Sequence, residues 1–326
     1  MLALAQAHDQ NRAIAPRWKP IFSASCDALI LCDSTGKLGL MTSEATTHWV
    51  LTLVCKDMPG IVHAVSGAIV AANGNITESQ QFTSEDTGRF FMRLQIESAV
   101  PREHFERQIS PVAERYEMDW QLDTVGRKMK TLILVSKSAH CLNDLLFRQR
   151  SGQLPVEVPA VFGNHADLAS MAEFYGIPFE THAISGDADK AAFEHMLRDY
   201  IKTAGIELIV LARYMQILSP EFCDEFAGRI INIHHSFLPG FKGANPYGQA
   251  HARGVKQIGA TAHFVTSDLD EGPIIEQNVL RVTHNSSKQE LVSIGQDVES
   301  KTLTQAVRWF AERRVLLDGH RTIIFS

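Results

Sequence analysis

At 326 residues the chain is long enough for about two domains of roughly 100 to 200 residues each, and its 45% hydrophobic and 21% charged residues are those of a globular protein rather than a disordered or repetitive one. The formal net charge is −6 and no dense Lys/Arg run occurs, which argues against a nucleic-acid partner. No stretch reaches the ~18 consecutive apolar residues of a membrane helix, and the mean hydropathy is −0.07, which argues against a membrane partner. Five cysteines without a C-x-x-C pair fit a reducing cytoplasm.

In chain order, residues 1–46 are expected to be an N-terminal extension, loosely ordered. Asp9, Asp27 and Asp33 count against an acid-poor targeting segment there, and Met41 opens M-T-S-E-A-T-T-H-W directly ahead of the first convincing strand. H-W-V-L-T-L-V-C-K, from His48, is that strand, closed by Asp57, Pro59 and Gly60. I-V-H-A-V-S-G-A-I-V-A-A-N follows as a helix stopped by Gly74. N-I-T-E-S-Q-Q-F-T and R-F-F-M-R-L-Q-I-E-S read as strands joined through residues 84–88, a helix follows Pro101, and E-M-D-W-Q-L-D is a last strand. The order is β-α-β-β-α-β, a ferredoxin-like sheet with both helices on one face.

The K-D-M-P-G turn of residues 56–60 and the A-N-G-N-I of 72–76 make residues 47–124 resemble an ACT domain. Such domains sense amino acids near the turn after the first strand, across an interface where sheets join edge to edge. The resemblance implies an amino-acid effector at Asp57, Met58, Pro59, Gly60, Ile61, Asn75 and Ile76, and a homo-oligomer, a dimer or tetramer. Helix N–H groups after Gly60 would receive a carboxylate favourably. The plainer alternative is a unit that only dimerises.

V-G-R-K-M, residues 125–129, reads as a linker to a second domain over 130–326. K-T-L-I-L-V-S is a strand buried on both faces, followed by a helix over residues 139–150. V-E-V-P-A-V-F, A-D-L-A-S-M-A-E-F-Y-G, I-P-F-E-T-H-A-I, a long helix near 188–204 and I-E-L-I-V-L-A-R-Y repeat the alternation. The expected fold is α/β: a doubly wound, mostly parallel sheet with ligands at the carboxyl ends of its strands.

R-I-I-N-I-H is the next strand, and its period of two puts Asn232 and His234 on one face. The following loop, residues 236–246, is apolar at Phe237, Leu238 and Phe241 and carries Gly243, which reads as a pocket wall. G-A-T-A-H-F-V-T-S returns as a strand and S-D-L-D-E-G-P leaves it as a tight loop. An amide, an imidazole and the carboxylate of Asp270 around one crevice suit addition of a nucleophile to a carbonyl. Asn232 and His234 would donate to the developing oxyanion, while Asp270 holds the imidazolium and accepts the nucleophile's proton. His235 faces the other side and reads as structural, His263 either orients the site or fills the core, and Asp268 caps the loop. The motifs H-E-x-x-H, G-x-G-x-x-G and G-x-S-x-G are absent, so zinc, nicotinamide and serine-hydrolase chemistry are not expected.

N-I-H and L-D-E-G-P together make residues 130–326 closely resemble the folate-dependent formyltransferase family. That resemblance implies Asn232, His234 and Asp270 as catalytic residues, and a folate pocket with Arg213, Tyr214, Met215, Gln216, Ile217, Leu218, His263 and Asp268. Gln216 stands where purine-pathway members carry Arg. Members that formylate a phosphorylated amine have a Gly-rich turn after the first strand, where this chain reads V-S-K-S-A-H. With that cradle gone, water is the expected acceptor. The ACT-like unit ahead of this domain, with H-C-L-N-D-L-L and H-H-S-F-L-P, resembles the hydrolytic branch of the family, implying hydrolysis of 10-formyltetrahydrofolate with no cofactor beyond the folate and no metal. Transfer to an amine, or a non-catalytic folate or amino-acid sensor, are the alternatives.

Overall fold

The computed structural model describes residues 28–32, 38–42, 46–240 and 246–326, so Phe241, Gly243 and most of the expected extension lie outside the described residues. The chain divides into two units, Met1–Thr47 and His48–Ser326. In the first, β1 (Ala28–Cys32) and β2 (Leu38–Thr42) pair as an antiparallel hairpin.

The ferredoxin-like order runs as expected through β3 (Thr47–Lys56), α1 (Ile61–Ala71), β4 (Asn75–Ser84), β5 (Arg89–Ser98), α2 (Arg102–Arg115) and β6 (Asp119–Thr124). Its sheet order is β4-β5-β3-β6. Alternate residues of β3, Leu51 and Leu53 among them, face α1 and α2 and form one core with Val65, Ile69, Phe105 and Ile109. The opposite face carries Val54 and Phe91.

In the second domain β7 (Met129–Val135) leads into α3 (His140–Arg150). The single strand expected from V-E-V-P-A-V-F is two short ones, β8 (Val156–Glu157) and β9 (Val161–Gly163), pairing with the start and the end of β7. Pro159 lies in the break and has no N–H for a ladder. α4 (Ala169–Phe174), β10 (Phe179–Thr181), α5 (Asp187–Ala204), β11 (Leu208–Ala212), α6 (Pro220–Glu225) and β12 (Ile230–His234) continue the alternation. α7 (Pro246–Arg253), β13 (Gln257–Phe264), β14 (Ile274–Arg281) and α8 (Lys288–Ala311) follow, and β15 (Val315–Asp318) with β16 (Arg321–Ile324) closes the chain.

The sheet order is β10-β9-β7-β11-β12-β13-β14, parallel from β10 to β12 and antiparallel beyond. One face, with Ile133, Val210 and Ile233, packs on α3 and α8; the other, with Leu134, Leu211 and Ile230, packs on α5 and α6. Both faces being covered explains the near-continuous apolar strands. No helix among the described residues is long and apolar enough to cross a membrane.

The two domains are joined by more than the linker. Arg127 pairs with Asp123 at 2.6 Å and with Glu207 at 2.7 Å, and Arg313 reaches Asp123 at 3.0 Å. The β15–β16 hairpin sends Phe325 against Val54 and Phe91, covering the helix-free face of the ACT-like sheet.

Candidate active site

Ile230 belongs to the α5–α6 face, so Asn232 and His234, two and four residues on, share it at the carboxyl end of β12. The loop after β13 returns Asp270 to the same point, and β13 itself sets His263 opposite Asn232 in register. His234 Nδ1 lies 3.2 Å from Asp270 Oδ2, and His263 Nε2 lies 3.7 Å from Asp270 Oδ1. Asn232 Nδ2 donates to His263 Nε2 at 3.2 Å, while His263 Nδ1 donates to the Phe264 carbonyl at 2.9 Å. His263 thus contacts the Asn232 amide and lies beside the Asp270 carboxylate. His234 is buried and its Nε2 has no hydrogen-bond partner.

Asp270 adopts φ 58°, a left-handed conformation that Asp tolerates better than most side chains. The hydrogen bond from His234, and then the neighbouring ring of His263, hold its carboxyl well below the ordinary carboxylate range, against the opposing effect of burial. It therefore stays ionised at neutral pH. His235, beyond the strand end, lies between the rings of His234 and Tyr247, and burial together with the positive charge of Arg213 pushes its pKa down to about 4.

The three side chains lie at the wall of a cavity of about 240 Å³. Residues 213–218, His263 and Asp268 line the same cavity, so the structure brings together every residue expected of the folate pocket. Tyr214 and Leu218 are buried in its wall, while Met215 and Ile217 are about 60% exposed at its rim. The loop after β13 is held by backbone, Thr266 Oγ1 and Glu271 N–H both donating to the Asp268 carbonyl. The lining segment is held from below, since buried Glu194 accepts from both N–H and Oγ of Ser219, which caps α6. At the end of β7, Ser136 Oγ accepts the Met215 N–H at 2.9 Å, so this turn holds the lining segment.

Sequence reasoning gave no role to the neighbouring cluster around Glu299. This carboxylate is 1% exposed on α8, accepts from His140 Nε2 at 2.7 Å and from the Tyr247 hydroxyl, and pairs with Arg213 Nε at 3.3 Å. Burial alone would raise its pKa, but the His140 hydrogen bond and the Arg213 charge bring it below the ordinary value. His140, Cys141 and Glu299 offer ligand atoms within 4.8 Å of one another, yet Arg213 already supplies positive charge to the carboxylate. Only the H-C-L-N-D-L-L string hinted at this cluster, since its members are far apart in sequence.

The effector residues divide. Asp57, Met58, Pro59 and Gly60 form an exposed turn, Gly60 at φ 96°, and Asp57 N–H donates to the Gly88 carbonyl at the β4–β5 hairpin. Asn75 and Ile76 pair with Glu97 and Ile96 at the other end of that hairpin, because α1 carries the chain back along the sheet. One chain therefore does not bring the two sets together. Ile61 is buried in the core, leaving only its backbone to face a ligand.

Residues 129–307 match the family model described as formyl transferase, and residues 49–108 match that of the ACT domain. A formyltetrahydrofolate deformylase of Corynebacterium sp. (strain P-1) is 50% identical over 285 residues, covering 86% of this chain and 99% of the relative. The crystal structure of a formyltetrahydrofolate deformylase from Burkholderia mallei superposes with a TM-score of 0.83 at 48% identity, covering 86% of this chain and all of that one. Glycinamide ribonucleotide transformylase 1 from Symbiobacterium toebii aligns at TM-score 0.59 and 31% identity over 63% of this chain and 98% of its own. With both domains in the same order along most of its length, the chain belongs to the formyltetrahydrofolate deformylase family.

Proposed function

We propose that the chain hydrolyses 10-formyltetrahydrofolate to tetrahydrofolate and formate, with Asn232, His234 and Asp270 as catalytic residues. The supporting observation is the meeting of Asp270 with His234 at 3.2 Å, beside Asn232, on the wall of a 240 Å³ cavity. Folate occupies that cavity, its pterin against residues 213–218, and presents the formyl carbon to the strand end.

Asp270, ionised, orders a water molecule and takes its proton as the oxygen attacks the formyl carbon. One Asn232 N–H is engaged by His263; the other donates to the oxyanion. His234, its Nδ1–H directed at Asp270, donates from its unpartnered Nε2 once protonated. Collapse breaks the carbon–N10 bond as N10 takes the proton that Asp270 received, and formate leaves. Each step uses side chains of this chain alone, with no metal. The buried free thiols of Cys55, Cys141 and Cys223 suit a reducing cytoplasm.

At the ACT-like domain an amino acid is the effector, bound at the turn of residues 57–61 and completed by Asn75 and Ile76 of a second copy joined edge to edge. The distance between the two sets within one chain favours an even-numbered homo-oligomer.

The likeness to a glycinamide ribonucleotide transformylase gives a second reading, transfer to an amine. The absence of glycine from V-S-K-S-A-H weighs against a phosphate seat at that turn. Formate release by Asn232→Ala and Asp270→Asn tests the assignment: each should fall by about 10²- to 10³-fold with the fold intact. Near-normal rates would overturn it.

A further inference from the structure

β14 is the edge strand of the large sheet, and it begins four residues after Asp270. The Pro273 carbonyl accepts the Phe264 N–H at 2.9 Å, and Ile274 stands opposite His263 in the ladder. Ile274 therefore touches the site by two routes, through the loop that carries Asp270 and through the strand partner whose ring contacts Asn232. Successive carbonyls alternate in direction along a strand, so that of Ile274 points away from β13, where an edge strand has no neighbour to bond it. Thr322 of β16 supplies the missing partner, its hydroxyl donating to the Ile274 carbonyl at 2.6 Å.

The β15–β16 hairpin is itself clamped to the ACT-like domain. Phe325 is buried against Val54 and Phe91, Arg321 pairs with Asp86 at 2.6 Å, and the Gln80 side chain donates to the Ser326 carbonyl at 3.1 Å. Asp318, 2% exposed, lies beside the hydroxyls of Ser84 and Thr87. The β4–β5 turn that grips the hairpin is the same one whose Gly88 carbonyl accepts the Asp57 N–H. A short run of contacts thus leads from the ACT-like sheet to the foot of the loop that carries Asp270.

We infer that Thr322 is a positioning residue: it seats the foot of the Asp270 loop, and through β15–β16 the ACT-like domain supports the catalytic centre. The inference rests on the hydrolytic reading above and adds what holds its base in place. Without the bond the start of β14 is free to move off the hairpin and to carry Asp270 away from His234 and from the water it orders. The folate wall at residues 213–218 is held separately, by Ser136 and by Glu194 through Ser219, so substrate binding is largely spared.

The test uses the full chain with 10-formyltetrahydrofolate, following formate, with folding of every variant verified by thermal unfolding. Thr322→Val, which keeps the shape and loses the donor, should lower kcat by about tenfold while KM stays within about threefold of the wild type. Thr322→Ser, which restores the hydroxyl, should bring kcat back to within about twofold. Asp318→Asn, on the ACT-like side of the hairpin, should lower kcat as well. Combined with Thr322→Val it should cost nothing further, as expected of two residues that act through one contact. Wild-type kcat in Thr322→Val, a loss expressed in KM alone, no recovery in Thr322→Ser, or additive losses in the double variant would each overturn the inference. If the wild type itself releases no formate, it is the hydrolytic reading that has failed.

Discussion

Asp270 and His235 sit close together in the site and respond to acid in different ways. The Asp270 carboxyl is depressed by its imidazole partners, so its contribution to stability is present above the ordinary carboxylate pKa and lost as pH falls below it. His235 is held neutral, with a pKa of about 4 against an ordinary 6.5. The unfolded chain therefore binds a proton there first, and stability drains away as pH falls from 6.5 toward 4, by up to about 3 kcal/mol. Thermal unfolding of His235→Gln should show a shallower decline across that window than the wild type; parallel curves would contradict the assignment. Asn232, His234 and Asp270 were legible because each stands in a short motif at a strand end. Glu299 was not, since it lies inside a long helix and its partners, His140 and Tyr247, come from elsewhere in the fold.

At the scale of single elements, the loop carrying Asp270 is closed by a backbone contact that only glycine permits. A Cβ at Gly272 would lie 1.8 Å from the Phe264 carbonyl oxygen, so Gly272→Ala must push the loop off β13 and carry Asp270 with it. A displacement near 1 Å costs about 10²-fold in rate, and formate release by this variant should fall by at least that much. Gly67 on α1 is the contrasting case, exposed with nothing within 4 Å of a Cβ. Gly67→Ala should stabilise by about 1 kcal/mol in urea unfolding, as a gain of helix propensity without a clash. Period-two strands and glycine-stopped helices made most elements readable. The break at Pro159 and the β1–β2 hairpin escaped: the first because an apolar run reads through one proline, the second because A-L-I-L-C and L-G-L-M-T are short strands within a stretch read as a tail.

For the molecule as a whole, domain order could be read from composition and motif, but the joint could not. Asp123 and Arg127, Glu207, and Arg313 come from three separate places and meet only after folding. Glu207→Gln should loosen the linker, and tryptic cleavage at Arg127 and Lys128 should quicken by about tenfold as local opening becomes easier; an unchanged rate would mean that Phe325 and its neighbours carry the joint instead. The most direct test of the whole account is to mix the pure chain with 10-formyltetrahydrofolate, no amine and excess chelator, and to follow both products. Formate and tetrahydrofolate should appear in equal amounts at a rate the chelator does not change. Intact substrate, or turnover that begins only when an amine or a metal is added, would contradict it.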